Sequence, residues 1–476
     1  MINTTLISSQ VLATSGVQFG TSGARGLVVD FTANVCGAFT AAFIKVMQQN
    51  HSFNTIAIAI DNRPSSESMA AAIAATAKQL NIDVVYYGVI PTPALAYAAM
   101  QQSIPCIMVT GSHIPFDRNG LKFYRPDGEI TKQDEVSILN SDCQYQSIEV
   151  LDDLLVNDSA ANLYVERYTR MFSDKPLSGK CIGIYEHSSA GRDLYPQVFE
   201  QLGAEVISLE RTDTFVPIDT EAVSDEDCQK AINWSAELKL DAIFSTDGDG
   251  DRPLISDENG HWLRGDILGL LCAEALKIEA LAVPVSCNTA IELSSKFAKV
   301  SRTKIGSPYV IAEFSALATE FNTFAGFEAN GGFILGSDIK VNDTLTKSLP
   351  TRDALLPAIV VLVAASKVNL STLVKQLPNR VTASDRIKNF ATQRSQQIIS
   401  KGVENPQQLL AQLGFTEQLV SCTDTTDGLR MTLQNNDIIH LRPSGNAPEL
   451  RCYAESSAET AAKGYVSRVL GKVTSL

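Results

Sequence analysis

The segment Asp247-Gly248-Asp249-Gly250-Asp251 places an aspartate at every second position. On an extended chain that period points the carboxylates to one side, where their oxygens can hold a hard divalent cation, and the intervening glycines let the backbone curl around it. A solvated acidic turn is the plain alternative, opposed by the repulsion of like charges held so close. A calcium loop is a sharper rival. Counted from Asp247, Glu258 falls where an EF-hand closes, but Arg252 stands where its turn requires glycine, and Pro253 follows. An aspartyl-phosphate phosphatase would need threonine or valine in place of Asp251.

Ser112 and His113 follow the apolar run Cys106 to Val109 and precede Ile114-Pro115, a placement that presents a hydroxyl on an exposed turn. Ser112 is there either a nucleophile or a turn cap. His113 can serve acid–base chemistry, against the commoner structural role of a single histidine. The absence of a G-x-S-x-G elbow counts against an esterase. Arg442-Pro443-Ser444-Gly445-Asn446 combines a guanidinium fork, a hydroxyl, an amide and backbone N–H groups, a set suited to phosphate, and Arg451 can add charge. As a bare turn it carries little. Glu328, in Glu328-Ala329-Asn330-Gly331-Gly332, can accept from two adjacent hydroxyls, as a sugar presents them, although loop glutamates are as a rule simply solvated.

These loops need rigid elements to aim them. From Thr55 the chain alternates apolar runs and helical stretches: Ile56 to Ile60 predicts a strand, Pro64-Ser65-Ser66 opens a helix, and Ile82 to Tyr87 predicts a second strand. A short helix follows Pro93, and Cys106 to Val109 predicts a third strand ending at Ser112. Gly120 to Ile130 reads as a hairpin turning at Pro126-Asp127-Gly128. The order recurs from Lys180. Cys181 to Tyr185, Glu205 to Leu209 and Ala242 to Ser245 predict strands, with a helix to about 202 and another over 225–238, and the aspartate triplet precedes a hairpin turning at Asp257-Glu258-Asn259-Gly260. A third round predicts strands at Val283 to Cys287, Val300 to Ile305 and Phe324 to Phe327, a helix from Pro308, and the Glu328 loop at its end. Ligand groups in doubly wound sheets gather beyond the carboxyl ends of strands, so the three loops are positional equivalents. After about residue 372 the runs lengthen, through Gly428 to Leu433, Asp437 to Leu441 and Arg442 to Arg451 to a closing helix from Ala458.

The expected fold class is therefore α/β, three similar α/β units with mixed sheets followed by a smaller α+β C-terminal domain. The expected units are 1–150 with the serine loop, 151–258 with the metal loop, 259–372 with the Glu328 loop, and 373–476 with the phosphate-binding turn.

At 476 residues, 45% hydrophobic and 19% charged, the composition is that of a globular chain and argues against disorder, collagen and coiled coil. Such a length buries its cores without a disulfide or metal staple. The longest apolar stretch, Leu355 to Ala365, contains Pro357 and falls short of the roughly 20 residues of a membrane helix, so no membrane span is expected. Met1 to Gly20 lacks a basic segment followed by an apolar core, so no secretory signal is expected, and nine cysteines without a C-x-x-C pair fit a cytoplasmic protein. A formal charge of −14 disfavours nucleic acid as a partner, so an anionic ligand needs a locally positive site.

Five stretches taken in order are specific: Phe19 to Gly26, Asp61 to Ser66, Thr110 to Pro115 with Asn119-Gly120 and Lys122, Asp247 to Arg252, and Arg442 to Asn446. Through them the chain resembles the α-D-phosphohexomutases, the four-domain phosphomannomutase and phosphoglucomutase family, over essentially its whole length. The resemblance implies a phosphoserine at Ser112, and one magnesium ion per chain on Ser112, Asp247, Asp249 and Asp251. It implies Arg25, Lys122, Arg252 and Lys304 around the reacting phosphate and substrate, and Glu328 with Asn330 reading the sugar. Arg442, Ser444, Gly445 and Asn446, with Arg451, form the implied distal phosphate grip. Two departures stand out: Ile114 replaces an asparagine common in the serine loop, and the sugar loop has Asn330 for serine and Gly332 where many members carry histidine.

The implied activity is reversible phosphoryl transfer between O1 and O6 of a hexose, with mannose phosphate first, glucose phosphate second and glucosamine phosphate third. A hexose 1,6-bisphosphate, intermediate and activator, turns around between the two halves, which a flexible fourth domain permits. With Gly332 unable to carry a proton, Lys122 or His113 is the expected acid–base group. The implied partners are small phosphosugars, with neither nucleic acid nor membrane, and monomer and homo-oligomer stand equally open. Two other classes compete: a catalytically silent sugar-phosphate sensor, opposed by Ser112 together with the aspartates, and a calcium-stabilised structural protein, which needs Asp247 to Glu258 closed as an ion cage.

Overall fold

The strand Thr55–Ile60 is buried from Ile56 onward, which makes it a central strand covered on both faces. Alternate residues serve different cores. Ile56, Ile58 and Ile60 pack with the helices Ala33–Met47 and Ser66–Gln79, while Ala57 and Ala59 face a second cluster with Leu95 and Ala98 of the helix Thr92–Gln101. Parallel neighbours Asp83–Val89 and Cys106–Val109 flank it, and the antiparallel strands Arg118–Arg125, Ala24–Leu27 and Gln18–Phe19 extend the sheet. The structure, a computed structural model, describes residues 4–20, 23–172, 174–444 and 448–476.

The plan recurs twice. Glu205–Leu209, Cys181–Tyr185 and Ala242–Thr246 run parallel, with Pro253–Ile255 antiparallel at the edge. Lys299–Thr303, Ala280–Pro284 and Phe324–Phe327 run parallel, followed by antiparallel Phe333–Leu335 and Leu349–Asp353. Val109, Thr246 and Phe327 thus end equivalent strands, and the serine, aspartate and Glu328 loops leave from them. The fourth sheet is wholly antiparallel, ordered Val381–Ile387, Leu450–Ser456, Ile438–Pro443, Leu429–Leu433 and Val420–Asp424, with the helices Thr392–Glu404 and Glu459–Val473 beside it. The architecture is three α/β units with mixed sheets and a C-terminal α+β unit.

One strand departs from expectation. The third unit opens at Ala280–Pro284 rather than Val283 to Cys287, because residues 280 to 282 pair with both neighbours, while the Cys287 N–H already turns back to the Pro284 carbonyl. A single apolar cluster runs from Ala57 through Ile182 and Phe199 to Phe327 and Leu355, so the first three units share a core. The fourth has its own, around Leu410, Met431, Leu441 and Val469. No described helix is long and apolar enough to cross a membrane, and the nine cysteines are all free thiols.

The edge strand Leu349–Asp353 stitches the units with successive polar side chains. Thr351 donates to Glu129 of the first unit at 2.9 Å, and Asp353 accepts from Tyr164, at 2.7 Å, and from Tyr168. Arg352 reaches Asp251 of the second unit at 2.8 Å and Glu328 at 3.3 Å. It lies flat against residue 332: a Cβ there would sit 2.6 Å from Arg352 Cδ and 2.7 Å from its Cγ. Glycine at 332 and arginine at 352 are therefore one packing unit. Gly332→Ala is expected to cost about 1–3 kcal/mol through overpacking. In an Arg352→Ala background the same change should cost much less, which thermal unfolding of the four proteins measures; equal costs would dissolve the pairing.

Candidate active site

The serine loop is shaped by a buried arginine. Asp61, just past the strand Thr55–Ile60, accepts from Thr110 Oγ1 and Ser66 Oγ at 2.7 Å and from Arg63 Nε at 3.1 Å. Arg63 then donates to four backbone carbonyls, of Ser112 and Ile114 through Nη2 (2.9 and 2.6 Å) and of Pro115 and Arg118 through Nη1 (2.9 Å each). A Cβ at residue 111 would meet Arg63 Cζ at 2.6 Å, so that position must be glycine. Held this way, Ser112 takes a φ of +54°, a left-handed conformation uncommon for a non-glycine residue and persisting only where neighbours enforce it. Nothing in the structure explains the side chain of Ile114.

Ser112 Oγ donates to Asp247 Oδ2 at 2.6 Å and lies 3.3 Å from His113 Nδ1. Asp247, Asp249 and Asp251 are fully buried, and one oxygen from each lies within 4.8 Å of the others. Lys122 Nζ stands 2.5 Å from Asp249 and 2.6 Å from Asp251, while Arg252 Nε is 3.8 Å from Asp247 and 3.7 Å from Asp251. Burial, reinforced by the charges of Asp249 and Asp251, pushes the Asp247 carboxyl up. Burial would raise Asp251 as well, but Arg352, Lys122 and Arg252 outweigh it and hold that carboxyl below its usual range. The triplet fits a hard cation: every donor is an oxygen, and Asp249 Oδ1 and Asp251 Oδ1 are buried without a hydrogen-bond partner. Glu258 does not close a cage around it. Its carboxylate accepts instead from the Ser371 N–H, at 3.2 Å, and hydroxyl, which removes the EF-hand-like arrangement.

His113 and Arg252 form the wall between this cluster and a cleft of about 190 Å³. All four units line the cleft: Arg25 and His113 from the first, Asp219, Glu221 and Arg252 from the second, Glu328, Asn330 and Arg352 from the third, Arg386, Arg442, Ser444 and Arg451 from the fourth. Burial, then the charges of Arg252, Arg25 and Arg451, hold His113 well below the ordinary histidine range, so its imidazole is neutral at pH 7 and Nδ1 faces Arg252 Nη1 at 3.0 Å. Burial and the neighbouring Arg252 and Arg352 bring even Arg25 down to about 10. The cleft thus concentrates positive charge in a chain whose net charge is −14.

Glu328 is buried and paired with Arg352 rather than solvated. The Asn330 side chain accepts from the Gly332 N–H at 3.0 Å, and its carbonyl accepts from Thr220 at 2.7 Å. Arg442 Nε lies 2.9 Å from Asp427, whose carboxylate accepts from the Ile305 N–H at 3.0 Å. Lys304 stands apart: it is exposed, its ammonium 5.8 Å from the ring centre of Tyr309, and its neighbours Ile305 and Gly306 line the cleft in its stead. Lys122 is engaged behind the wall. Gly445 and Asn446, like Thr21 and Ser22, lie outside the described residues.

Sequence reasoning passed over Arg352, Asp219, Glu221 and Arg386, and saw in Asp61 to Ser66 a motif but not Arg63's grip on the serine loop. Arg352 had a signal: an Arg-Asp pair directly before Ala354 to Val363, one of the most apolar stretches in the chain, is an unusual place for exposed charge.

Models of phosphoglucomutase/phosphomannomutase α/β/α domains I, II and III match residues 16–144, 162–260 and 264–381. A phosphomannomutase of Salmonella muenchen is 57% identical over 465 residues, covering 98% of this chain and 97% of that protein. One of Sinorhizobium fredii is 39% identical, covering 97% and 99%. Among solved structures, a putative phosphomannomutase from Thermus thermophilus superposes with a TM-score of 0.76 at 18% identity, covering 96% of this chain and 99% of that one. A phosphoglucomutase/phosphomannomutase family protein from Burkholderia thailandensis gives 0.75 at 21% identity, covering 99% and 97%, and both likenesses speak for the fold. With three successive domain models matched in order, and relatives that align along nearly the whole chain, this protein belongs to the phosphoglucomutase/phosphomannomutase family, the α-D-phosphohexomutases.

Proposed function

We propose that this protein is a cytoplasmic phosphomannomutase that exchanges a phosphoryl group between O1 and O6 of mannose through a hexose 1,6-bisphosphate. The observation that carries the reading is Ser112, held in a left-handed turn with its hydroxyl on the buried aspartate triplet and beside a cleft crowded with arginines. The 57% identity to a phosphomannomutase supports mannose as the sugar.

Ser112 is the residue that carries the phosphoryl group. The turn enforced by Arg63 holds its oxygen in place, so little reorganisation is needed when the substrate arrives. Asp247, Asp249 and Asp251, with Ser112, would hold one magnesium ion. When bound, it supplies positive charge against the roughly −1.5 to −2 that a phosphoserine adds, and polarises a phosphoryl oxygen. Lys122, Arg252 and Arg352 are already engaged by the three aspartates, Arg352 by Glu328 as well, so the added phosphoryl charge calls for this further cation. Arg25 faces the same reacting region. His113, neutral and lining the cleft, takes the proton of the attacking sugar hydroxyl. Glu328 orients the sugar through the 3- and 4-hydroxyls, with Arg352 fixing the carboxylate. Arg442, Ser444 and Arg451 hold the phosphate that is not reacting, and the bisphosphate turns end for end between the two transfers.

Assays of wild type and Ser112→Ala against mannose 1-phosphate, glucose 1-phosphate and glucosamine 1-phosphate test the reading. Mannose 1-phosphate should be converted, and Ser112→Ala should lose roughly three orders of magnitude or more in turnover with its fold intact. Intact mass should find a phosphate on wild type and none on the variant; near-normal turnover of purified Ser112→Ala would end the covalent mechanism.

Chelation should abolish activity and magnesium restore it, since an all-oxygen site favours a hard ion. Full activity after chelation, or revival by calcium alone, would remove the role given to the aspartates.

Glu328→Ala should lower kcat/KM for mannose 1-phosphate and glucose 1-phosphate by similar factors, each more than about tenfold, through loss of two charge-assisted hydrogen bonds. The two sugars share configuration at carbons 3 and 4 and differ at carbon 2. A loss confined to one of them would put Glu328 beside carbon 2.

A further inference from the structure

In the fourth sheet Val381–Ile387, Leu450–Ser456 and Ile438–Pro443 are consecutive neighbours. Their register sets Arg386 opposite Arg451 and Arg451 opposite Arg442. Three arginines therefore occupy one rung on one face, on strands about 4.8 Å apart. All three line the cleft, as do Ser384 and Tyr453, paired on the same face two residues along.

Like charges directly opposite one another weaken a sheet. Three carboxylates offset part of the repulsion here: Glu449, Asp427 and, acting on Arg451 from the second unit, Glu221. Glu449 lies 3.8 Å from Arg386 and 3.7 Å from Arg451, beyond hydrogen-bonding distance of both, and Asp427 lies 2.9 Å from Arg442. Arg451 Nε is buried without a hydrogen-bonded partner, and so is Arg442 Nε, misaligned despite its closeness to Asp427. The rung thus keeps guanidinium donors that no carboxylate satisfies, and the Arg386 side chain, 34% exposed, remains accessible from the cleft. A sheet carrying such a rung is relieved by an anion lying across it. Planar forks are the side chains best matched to phosphate oxygens.

We propose that Arg386 is a substrate-binding residue, the outer member of an Arg386–Arg451–Arg442 rung that receives the phosphate remote from the reacting phosphoryl group. The identity of that phosphate as part of a sugar rests on the mutase reading; the anion site rests on the sheet register alone. Arg386 has no part in the phosphoryl step, so its loss weakens binding more than turnover.

Wild type, Arg386→Gln and Arg386→Lys are compared by thermal unfolding with and without inorganic phosphate, and by kinetics with mannose 1-phosphate. Phosphate should stabilise wild type clearly and Arg386→Gln much less, while without anion the variant should be at least as stable as wild type, its cross-strand repulsion relieved. KM should rise about tenfold in Arg386→Gln, as for one lost charge-assisted contact, with kcat changed much less, and Arg386→Lys should fall between. A phosphate-induced shift and a KM equal to wild type in Arg386→Gln would overturn the proposal; were that variant poorly folded, wild-type values for both in Arg386→Lys would do the same. A phosphate shift that depends on Arg386 in a protein converting no hexose phosphate would uphold the rung and overturn the mutase reading instead.

Discussion

Three carboxylates shut away from water cannot stand side by side unless cations stand with them. At the distances found around Asp247, Asp249 and Asp251, uncompensated repulsion and desolvation would each amount to several kcal/mol. The compensating groups come from different parts of the chain: Lys122 from the first unit, Arg252 from the second, Arg352 from the third. The aspartate loop can exist in this form only when the three units have packed. That constraint accords with a single apolar core running through all three, and with an edge strand whose successive residues Thr351, Arg352 and Asp353 tie them together.

The same cations give the site its chemistry. Burial, aided by Arg252, which faces His113 as well as the aspartates, keeps the imidazole neutral, and Arg352 connects the aspartate loop to the Glu328 loop through one guanidinium. A change at the aspartate loop is thereby felt at Glu328, the group proposed to orient the sugar. The serine loop obtains its shape differently, from a buried guanidinium satisfied almost wholly by backbone carbonyls, so that its geometry depends little on which side chains occupy positions 113 to 118.

The fourth unit stands in contrast. It has its own core and meets the third unit through hydrogen bonds such as Asn288 to Thr382, Thr289 to Glu455 and Ile305 to Asp427. Contacts of that kind are exchanged for water at little cost. A unit attached in this way can carry its arginines toward or away from a ligand while the serine and aspartate loops stay with the shared core of the first three units, which suits the proposed reaction, whose bisphosphate must turn around.

Much of this was legible in the residues alone. Cys106–Val109, Cys181–Tyr185 and Phe324–Phe327 are short apolar runs followed by polar residues, the appearance of a buried parallel strand. The spacing of Asp247, Asp249 and Asp251, and Ser112 at a strand end, announced a cluster of carboxylate oxygens fit for a cation and a hydroxyl beside it, because both signals are local. Other features depend on residues far apart in the chain. The space that Gly332 leaves is filled by Arg352, and the rung of Arg386, Arg451 and Arg442 exists only once three strands are in register. Lys304 took no place in the cleft because a charged side chain on a short strand end can face solvent as readily as ligand. Local spacing determines which chemistry the chain carries, since a strand or turn is specified by its own few residues. Which charges neutralise one another is decided by tertiary packing, because Coulomb partners are chosen by distance in space and by the exclusion of water.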